Sequence, residues 1–316
     1  MSSLRVATFN TLFPSALEQP GTWARRSELI RRAIERARPD VIGLQEVLPA
    51  TLEELPGLLG DLSFVAGPDR GPARAFSPYP LLESALRLVR TGSLRGPEGA
   101  RHEPVRNSAE HLPIAYRTER LKPVASGAFW ISATPEQPGT SPPSAFSPSL
   151  VHWVRFADLT NAGSLLVMNA HIGLAPWHHA LAVRTIAERL RALSPRAPQS
   201  AAHAPQDAAR PPEREHPSES VFLLGDFNAL RSSLLVRALT SPDGAALIDA
   251  TRTAPRQSGP PVTFHWGVGA TRWGLSIDYV FARSALQAVS CERIGEHEGS
   301  QYASDHHLTL VEFAAP

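Results

Sequence analysis

The chain has 316 residues, of which 42% are hydrophobic and 19% charged, and its formal net charge is +1. This length and composition allow a substantial core, and the near-neutral charge gives no overall field for non-specific binding to nucleic acid. No apolar stretch approaches the roughly 20 residues of a transmembrane helix, so no transmembrane segment is predicted. Cys291 is the only cysteine, which excludes an intrachain disulfide and a thiolate metal cluster. The N-terminus shows no signal-peptide pattern, and we expect a cytoplasmic protein.

Strand and helix patterns alternate along the chain without an internal repeat, which predicts α/β layering in one domain over residues 1–316. Helical periodicity covers residues 23–38, 51–59, 81–89 and 180–193. Apolar runs bounded by turn signals predict strands at 5–10, 41–44, 112–117, 129–132, 151–156, 165–171, 221–224, 277–281 and 308–313. Two segments near 66–107 and 194–220, rich in proline with glycine or alanine, are predicted to be surface insertions. We expect the first to shape a substrate mouth.

Four acidic residues come at the ends of strongly apolar runs: Asp226, Asp278 and Asp305 just after such a run, and Glu46 as the last residue of one. Such runs are typical of buried strands, so each carboxylate should lie at the rim of the core. Carboxylates from distant segments rarely gather there unless a cation offsets their repulsion and desolvation. The pattern therefore predicts a divalent-metal site, and oxygen ligands favour Mg²⁺ or Mn²⁺.

The motif Gly225-Asp226-Phe227-Asn228 offers a carboxylate and an amide two residues apart on one side of the backbone. Its glycine permits a tight turn. Taken alone, Asp226 and Asn228 are more often turn-capping residues. The other strand-end acids favour the interpretation as a site.

The segment Ser304-Asp305-His306 places a carboxylate beside an imidazole. On a turn, His306 offers either a base or a group that stabilises developing charge, with Asp305 fixing its tautomer. The alternative is an ordinary surface turn. We predict that His307 is structural.

His171 ends an apolar strand, where a lone histidine is more often structural than catalytic. Glu110 would orient it if the fold brings the two together. His178 and His179 begin a helix and are expected to face solvent. Asn10 offers an amide oxygen to a metal, or it forms a turn.

Seven short segments occur in a distinctive order. They are Thr8-Phe9-Asn10, Gly43-Leu44-Gln45-Glu46, Pro113-Ile114-Ala115-Tyr116-Arg117, Asn169-Ala170-His171, Gly225-Asp226-Phe227-Asn228, Ile277-Asp278-Tyr279 and Ser304-Asp305-His306. Each segment is weak alone, but in this order they are specific, and from Val6 to Phe313 the chain resembles the endonuclease/exonuclease/phosphatase superfamily. Segments 126–132 and 263–265 are similar to its bacterial branch.

The resemblance implies a fold and a reaction. The fold is an α/β protein, a four-layer α/β/β/α sandwich of two mostly antiparallel sheets with helices outside and the site at one edge. The reaction is Mg²⁺- or Mn²⁺-dependent hydrolysis of a phosphoester by direct water attack. Glu46 would be the main metal ligand, supported by Asn10 and Asp305.

The resemblance also implies catalytic roles for the remaining residues. Asp226 would position or activate the attacking water, and Asn228 would hold a phosphoryl oxygen. His306 would contact the phosphate or act as the base, with Asp305 beside it. The others implied are His171, which stabilises the pentacovalent state, Glu110, which orients His171, and Asp278, which orients its neighbours in the site.

Two departures from the bacterial branch bear on the substrate. After His171 that branch usually has an aspartate and a second histidine, whereas this chain has Ile172-Gly173-Leu174. An arginine is usual where this chain has Ser149. Both changes remove polar contacts near the scissile group while leaving the metal and water machinery in place.

The substrate class stays open between a nucleic acid, a phospholipid and a small phosphoester, and no protein partner is predicted. The near-neutral charge argues mildly against general cleavage of duplex DNA. Seven arginines offer a basic groove, although a solvated loop is the simpler interpretation; they are Arg70, Arg74, Arg87, Arg90, Arg95, Arg101 and Arg106. The alternative function is a non-catalytic binding module that keeps the fold, and the complete set of site residues argues against it.

Overall fold

The computed structural model describes residues 3–12, 21–71, 110–143, 145, 147–161, 163–194, 219–267, 269 and 274–315. The helix predicted at 81–89 and nearly all of the two predicted insertions lie outside these residues. No helix in the described ranges combines the length and the apolar character needed to cross a membrane.

Seven strands form the first sheet. In chain order they are β1 (Leu4–Asn10), β2 (Val41–Gln45), β3 (Leu62–Val65), β4 (Ile114–Arg117), β10 (Arg256–Ser258), β12 (Gln287–Ile294) and β15 (Leu308–Ala314). Their spatial order is β10-β12-β15-β1-β2-β4-β3. Sequence patterns predicted β1, β2, β4 and β15 but missed the edge strands and β12.

Six strands form the second sheet. They are β5 (Leu121–Trp130), β6 (Leu150–Asp158), β7 (Ser164–His171), β8 (Ser220–Asp226), β9 (Ile248–Asp249) and β11 (Asp278–Arg283). Their spatial order is β5-β6-β7-β8-β11-β9, and a separate ribbon joins β13 (His297–Glu298) to β14 (Gln301–Tyr302). The strand predicted at 129–132 overlaps only the last two residues of the longer β5, which begins at Leu121.

Helices cover the outer face of each sheet. The helices are α1 (Thr22–Ala37), α2 (Pro49–Leu59), α3 (Pro176–Leu193), α4 (Leu234–Thr240) and the single turn α5 (Ala250–Thr253). The apolar stripe of α1, including Leu29 and Ile34, packs on the first sheet with α2. Helices α3 and α4 pack on the second sheet through residues such as Ile186 and Leu235.

The inner faces of the sheets pack on each other. Val6 and Val311 of the first sheet share a buried cluster with Phe222, Leu224 and Val280 of the second. The resulting order of layers is helix, sheet, sheet, helix, which confirms the predicted four-layer sandwich. In the described part, the parallel pairs are β1–β2, β7–β8 and β10–β12, and the other pairs are antiparallel.

Strand direction brings the predicted site residues to one edge. His171 and Asp278 both pair in register with Asp226, the last residue of β8. The interpretation that an acid follows each strand is wrong for Asp278 and Asp305, because Asp278 begins β11 and Asp305 precedes β15. These two strands run antiparallel to β8 and β1, so their starts lie beside the ends of those neighbours.

Gly225 does not form the tight turn expected from the sequence. It lies inside β8 with φ of 136°, and a Cβ atom there would lie 1.9 Å from the carbonyl oxygen of Ala170 on β7. The glycine therefore permits close approach of two parallel strands directly behind His171 and Asp226.

Candidate active site

Asn10 links acidic residues from the two sheets. Its Nδ2 donates to Oε1 of Glu46 at 3.0 Å and to Oδ2 of Asp226 at 3.1 Å. Its Oδ1 accepts the backbone N–H of Leu12 at 3.0 Å. All three polar side chains are buried, so this amide joins two carboxylates that water scarcely reaches.

Glu46 lies in an unfavourable environment for a lone carboxylate. Burial is the main cause that raises its pKa, and the nearby acids Glu110 and Asp305 raise it further, against the opposing effects of His171 and Asn10. Its backbone is also left-handed, with φ of 59°. Such strain is typical of residues held in place for function.

Glu110 connects His171 to a buried arginine. Its Oε1 accepts from Nδ1 of His171 at 2.6 Å and from the backbone N–H of Glu46 at 3.1 Å. Its Oε2 lies 2.7 Å from Nη1 of Arg70. Burial raises the pKa of Glu110, but Arg70 and His171 outweigh burial and lower it to about 2. Burial lowers the pKa of His171, but Glu110 outweighs it and raises the value to about 9.

A second histidine approaches Asp226 from the opposite side. Nδ1 of His306 lies 2.9 Å from Oδ2 of Asp278, and its Nε2 lies 3.7 Å from Oδ2 of Asp226. Nε2 of His171 lies 3.8 Å from the same Asp226 oxygen. Burial lowers the pKa of His306, but Asp278 and Asp226 together raise it to about 10. Asp226 therefore lies between two imidazoles.

Burial, followed by repulsion from Asp278, raises the pKa of Asp226, while the two histidines lower it. The backbone N–H of Asn228 donates to Oδ1 of Asp226 at 2.8 Å. The side chain of Asn228 donates to the carbonyl of Ile172 at 2.9 Å, and its backbone is left-handed with φ of 47°. The interpretation as turn-capping residues and the interpretation as a site are therefore compatible. Asn228 shapes the turn, and its backbone N–H fixes the Asp226 carboxylate.

The segment before β15 closes the site. Oγ of Ser304 donates to the carbonyl of Asn10 at 2.7 Å and accepts the backbone N–H of His306 at 3.1 Å. Asp305 is half-buried between them and acts on Glu46 through its charge. The structure therefore brings every sequence-predicted site residue to the same edge of the sandwich.

Three expectations about basic residues are wrong. His178 and His179 are buried rather than solvent-facing, and His178 packs closely on Gly173, where a Cβ would lie 3.2 Å from its Nδ1. Arg70 is not on a solvated loop, since it is buried against Glu110. The other six arginines considered for a basic groove lie outside the described residues.

Two supporting residues were missed from the sequence. Arg70 stands among glycines and prolines, where no periodicity marks a buried residue. Thr263 accepts the backbone N–H groups of Ile277 and Asp278 on its Oγ1 at 3.0 and 3.1 Å, which holds the start of β11. In the sequence, the segment Thr263-Phe264-His265 stands out only through the resemblance to the bacterial branch.

His307 is buried, as the structural interpretation requires. Its ring stacks on that of His265 with 4.2 Å between centroids. Burial, together with the charges of His265 and His306, lowers the pKa of His307 to about 3. It is therefore neutral at physiological pH and separate from the charged His306.

Comparison with known proteins agrees with this geometry. The model of the Endonuclease/Exonuclease/phosphatase family matches residues 7–306, and the chain belongs to this family. A search of curated protein sequences found no significant match.

Solved structures with the same fold share little sequence with the chain. A Bacteroides vulgatus endonuclease/exonuclease/phosphatase has 18% identity and a TM-score of 0.75 over 100% of both chains. Mannosyl-6-phosphatase Bt3783 of Bacteroides thetaiotaomicron has 19% identity and a TM-score of 0.71 over 99% of this chain and 100% of that one. D. rerio TDP2, solved with a single-strand DNA product, has 16% identity and a TM-score of 0.62 over 100% of both chains.

Proposed function

We propose that the chain is a Mg²⁺- or Mn²⁺-dependent hydrolase of phosphoester bonds that uses direct attack by water. Family membership favours phosphoester hydrolysis in general. The observation that carries the proposal is the meeting of Asn10 and Glu46 from one sheet with Asp226 from the other, between His171 and His306.

The donor set fits a hard divalent cation. Glu46, with Asn10 and Asp305, would hold the ion, because these are oxygen donors and the buried acids repel one another. A bound cation would polarise a phosphoryl oxygen and offset the charge that develops there. Asn10 would also keep the ion-binding carboxylate and Asp226 at a fixed spacing.

Asp226 is the candidate base. Its raised pKa makes it a better proton acceptor than an exposed aspartate, and the Asn228 N–H fixes its orientation. It would orient the attacking water and accept a proton from it. Asp278 would hold Nδ1 of His306 so that Nε2 faces Asp226 and the reacting phosphorus.

His171 and His306 are the candidate cationic donors. Their raised pKa values keep both imidazoles protonated at neutral pH, so each would donate through Nε2 to a phosphoryl oxygen. This favours the charge-stabilising role of His306 over the role of base. Glu110 and Arg70 would keep the His171 ring in place.

Asp226, Asp278 and His306 also form a compact group, with one ligand atom of each within 4.8 Å of the others among the described residues. We favour Glu46 as the centre of the metal site instead. Both nitrogens of His306 face carboxylates, so Asp278 and Asp226 already occupy the positions at which this imidazole would meet a metal. The single-domain organisation and the cytoplasmic location stay predictions.

The test is hydrolysis of bis(p-nitrophenyl) phosphate with Mg²⁺ or Mn²⁺ and again with EDTA. We expect metal-dependent release of p-nitrophenolate that falls at least about 100-fold in Asp226→Asn. The matched control is Glu219→Gln at the opposite end of β8, where the acid pairs with Arg155, and it should retain activity. Release that is insensitive to EDTA or to Asp226→Asn would refute the proposal.

A further inference from the structure

An aromatic wall flanks one of the candidate catalytic histidines. The ring of Phe264 lies 4.8 Å from that of His306 and 4.5 Å from that of Trp266, measured between centroids. Phe264 also forms β-bridges with Leu275 and His306. Both aromatic side chains are partly exposed, so an apolar surface begins directly beside the His306 imidazole.

Four exposed leucines stand on segments that adjoin the site residues of the second sheet. Each lies within a few residues of a site residue; the exposed fractions are 52% for Leu174, 49% for Leu230, 64% for Leu234 and 36% for Leu275. Singly exposed leucines need no explanation, but four on the short segments that adjoin one candidate site do.

Hydrogen bonds tie the segments that carry these leucines together. Asn228 donates to Ile172, which fastens the Leu230 segment to the Leu174 segment. The hydroxyl of Tyr279 contacts the carbonyls of Ala229 and Ser276 at 2.7 and 3.0 Å, which joins the segments of Leu230 and Leu275. The apolar rim, defined as Phe264, Trp266, Leu174, Leu230, Leu234 and Leu275, is therefore carried by connected segments.

The described part of this edge has little charge. Segments 172–175, 227–234, 262–267 and 274–277 contain one residue among Asp, Glu, Lys and Arg, which is Arg231. Its Nε lies 3.2 Å from Oδ2 of Asp249, so its charge is already paired. These segments offer no free cation to the phosphates that flank the scissile group in a polynucleotide.

We propose that the organic group attached to the scissile phosphate is apolar and binds against this rim. The inference rests on the proposed hydrolase function and specifies its substrate class. An alkyl or aryl group would cover the leucines and the Phe264 face and leave the phosphate between His171 and His306. A sugar there would lose hydration of its hydroxyl groups, and the leucines and Phe264 offer it no hydrogen-bond partner.

The test compares phosphodiesters that share one leaving group. Methyl, hexyl and thymidine-5′ p-nitrophenyl phosphates all release p-nitrophenolate, so differences in kcat/KM report binding of the other group. A fully buried methylene is worth about fourfold, and partial burial of five predicts that the hexyl ester exceeds the methyl ester by at least about tenfold. The thymidine ester should stay below the hexyl ester.

Two double variants distinguish an effect of the apolar rim from an effect of exposed apolar residues elsewhere on the protein. In the double variant Leu174→Asn with Leu230→Asn, the hexyl-to-methyl ratio of kcat/KM should fall towards one. The double variant Val124→Asn with Leu159→Asn changes leucine and valine side chains of similar exposure, 55% and 57%, at the far end of the same sheet, and should keep the ratio.

The two proposals fail in different ways. Equal kcat/KM for the methyl and hexyl esters, or a thymidine ester that exceeds both, would overturn the apolar substrate while leaving the hydrolase intact. An unchanged ratio in the rim variant would overturn it too. No hydrolysis of any ester with either metal would refute the hydrolase itself and, with it, the inference.

Discussion

At the scale of single residues, the charged side chains of the candidate site lie in two different electrostatic environments. Glu46 is buried with acids nearby and faces Asn10, whereas His306 is held by Asp278 and Asp226. A bound cation would offset the repulsion between Glu46 and the acids near it. The charge of His306 is already balanced by Asp278 and Asp226. Loss of the two side chains should therefore have different consequences.

We expect Glu46→Gln to weaken Mn²⁺ binding at least about 100-fold. Loss of a residue that only orients a metal ligand can already reduce metal affinity by this much, and Glu46 would contact the ion directly. His306→Gln should lower turnover while binding Mn²⁺ within about threefold of the wild type. Isothermal titration of Mn²⁺ into both variants measures the difference. Equal loss of affinity in the two variants would contradict the assignment of the metal site.

At the scale of elements, the spacing between β7 and β8 depends on one residue without a side chain. Gly225 faces the carbonyl of Ala170, so a methyl group there would force the strands apart next to His171 and Asp226. Its φ of 136° is also a conformation that other residues rarely adopt.

We expect Gly225→Ala to lower the free energy of unfolding by about 3 kcal/mol or more and to abolish hydrolysis. Gly57→Ala is the matched control, because Gly57 is exposed in α2 and a Cβ there meets nothing within 4 Å. That change should stabilise the protein by about 0.5–1 kcal/mol through helix propensity. Urea unfolding of both variants provides the comparison, and a Gly225→Ala protein of normal stability and activity would disprove the packing argument.

At the scale of the whole molecule, a buried histidine makes stability depend on pH. Burial lowers the pKa of His152 to about 4, and its Nδ1 contacts the carbonyl of Leu112 at 2.9 Å. The unfolded chain binds this proton near pH 6.5, but the folded protein does so only near pH 4. Stability is therefore lost as the pH falls from 6.5 towards 4.

Between pH 7 and pH 5, His152 should reduce the free energy of unfolding by about 2 kcal/mol. In His152→Asn, where the amide replaces the Nδ1 contact, this part of the decline should disappear. Urea unfolding at both pH values in EDTA measures the change, and His297→Asn, at an exposed histidine, is the control. A decline as steep in His152→Asn as in the wild type would show that His152 is not its source.

The sequence predicted most of the central strands because their apolar runs are continuous and end in polar residues. The order of its motifs also indicated residues that the structure brings together at one edge of the sandwich. The sequence did not reveal Arg70, whose partner Glu110 is forty residues away, or β12, which shows no apolar run and is recognisable only from its pairing with β15. It also misplaced His178 and His179, because their burial depends on how the start of α3 packs on other segments, a tertiary property.

The double contact of Asn10 has a consequence for partly unfolded states. Its side-chain amide donates to the carboxylates of Glu46, which follows a strand of the first sheet, and Asp226, which ends a strand of the second. A small displacement of one sheet relative to the other would break these two hydrogen bonds while the strand pairing within each sheet stays intact. A molten form of the protein would therefore retain its backbone hydrogen bonds but lose the arrangement of side chains proposed for hydrolysis.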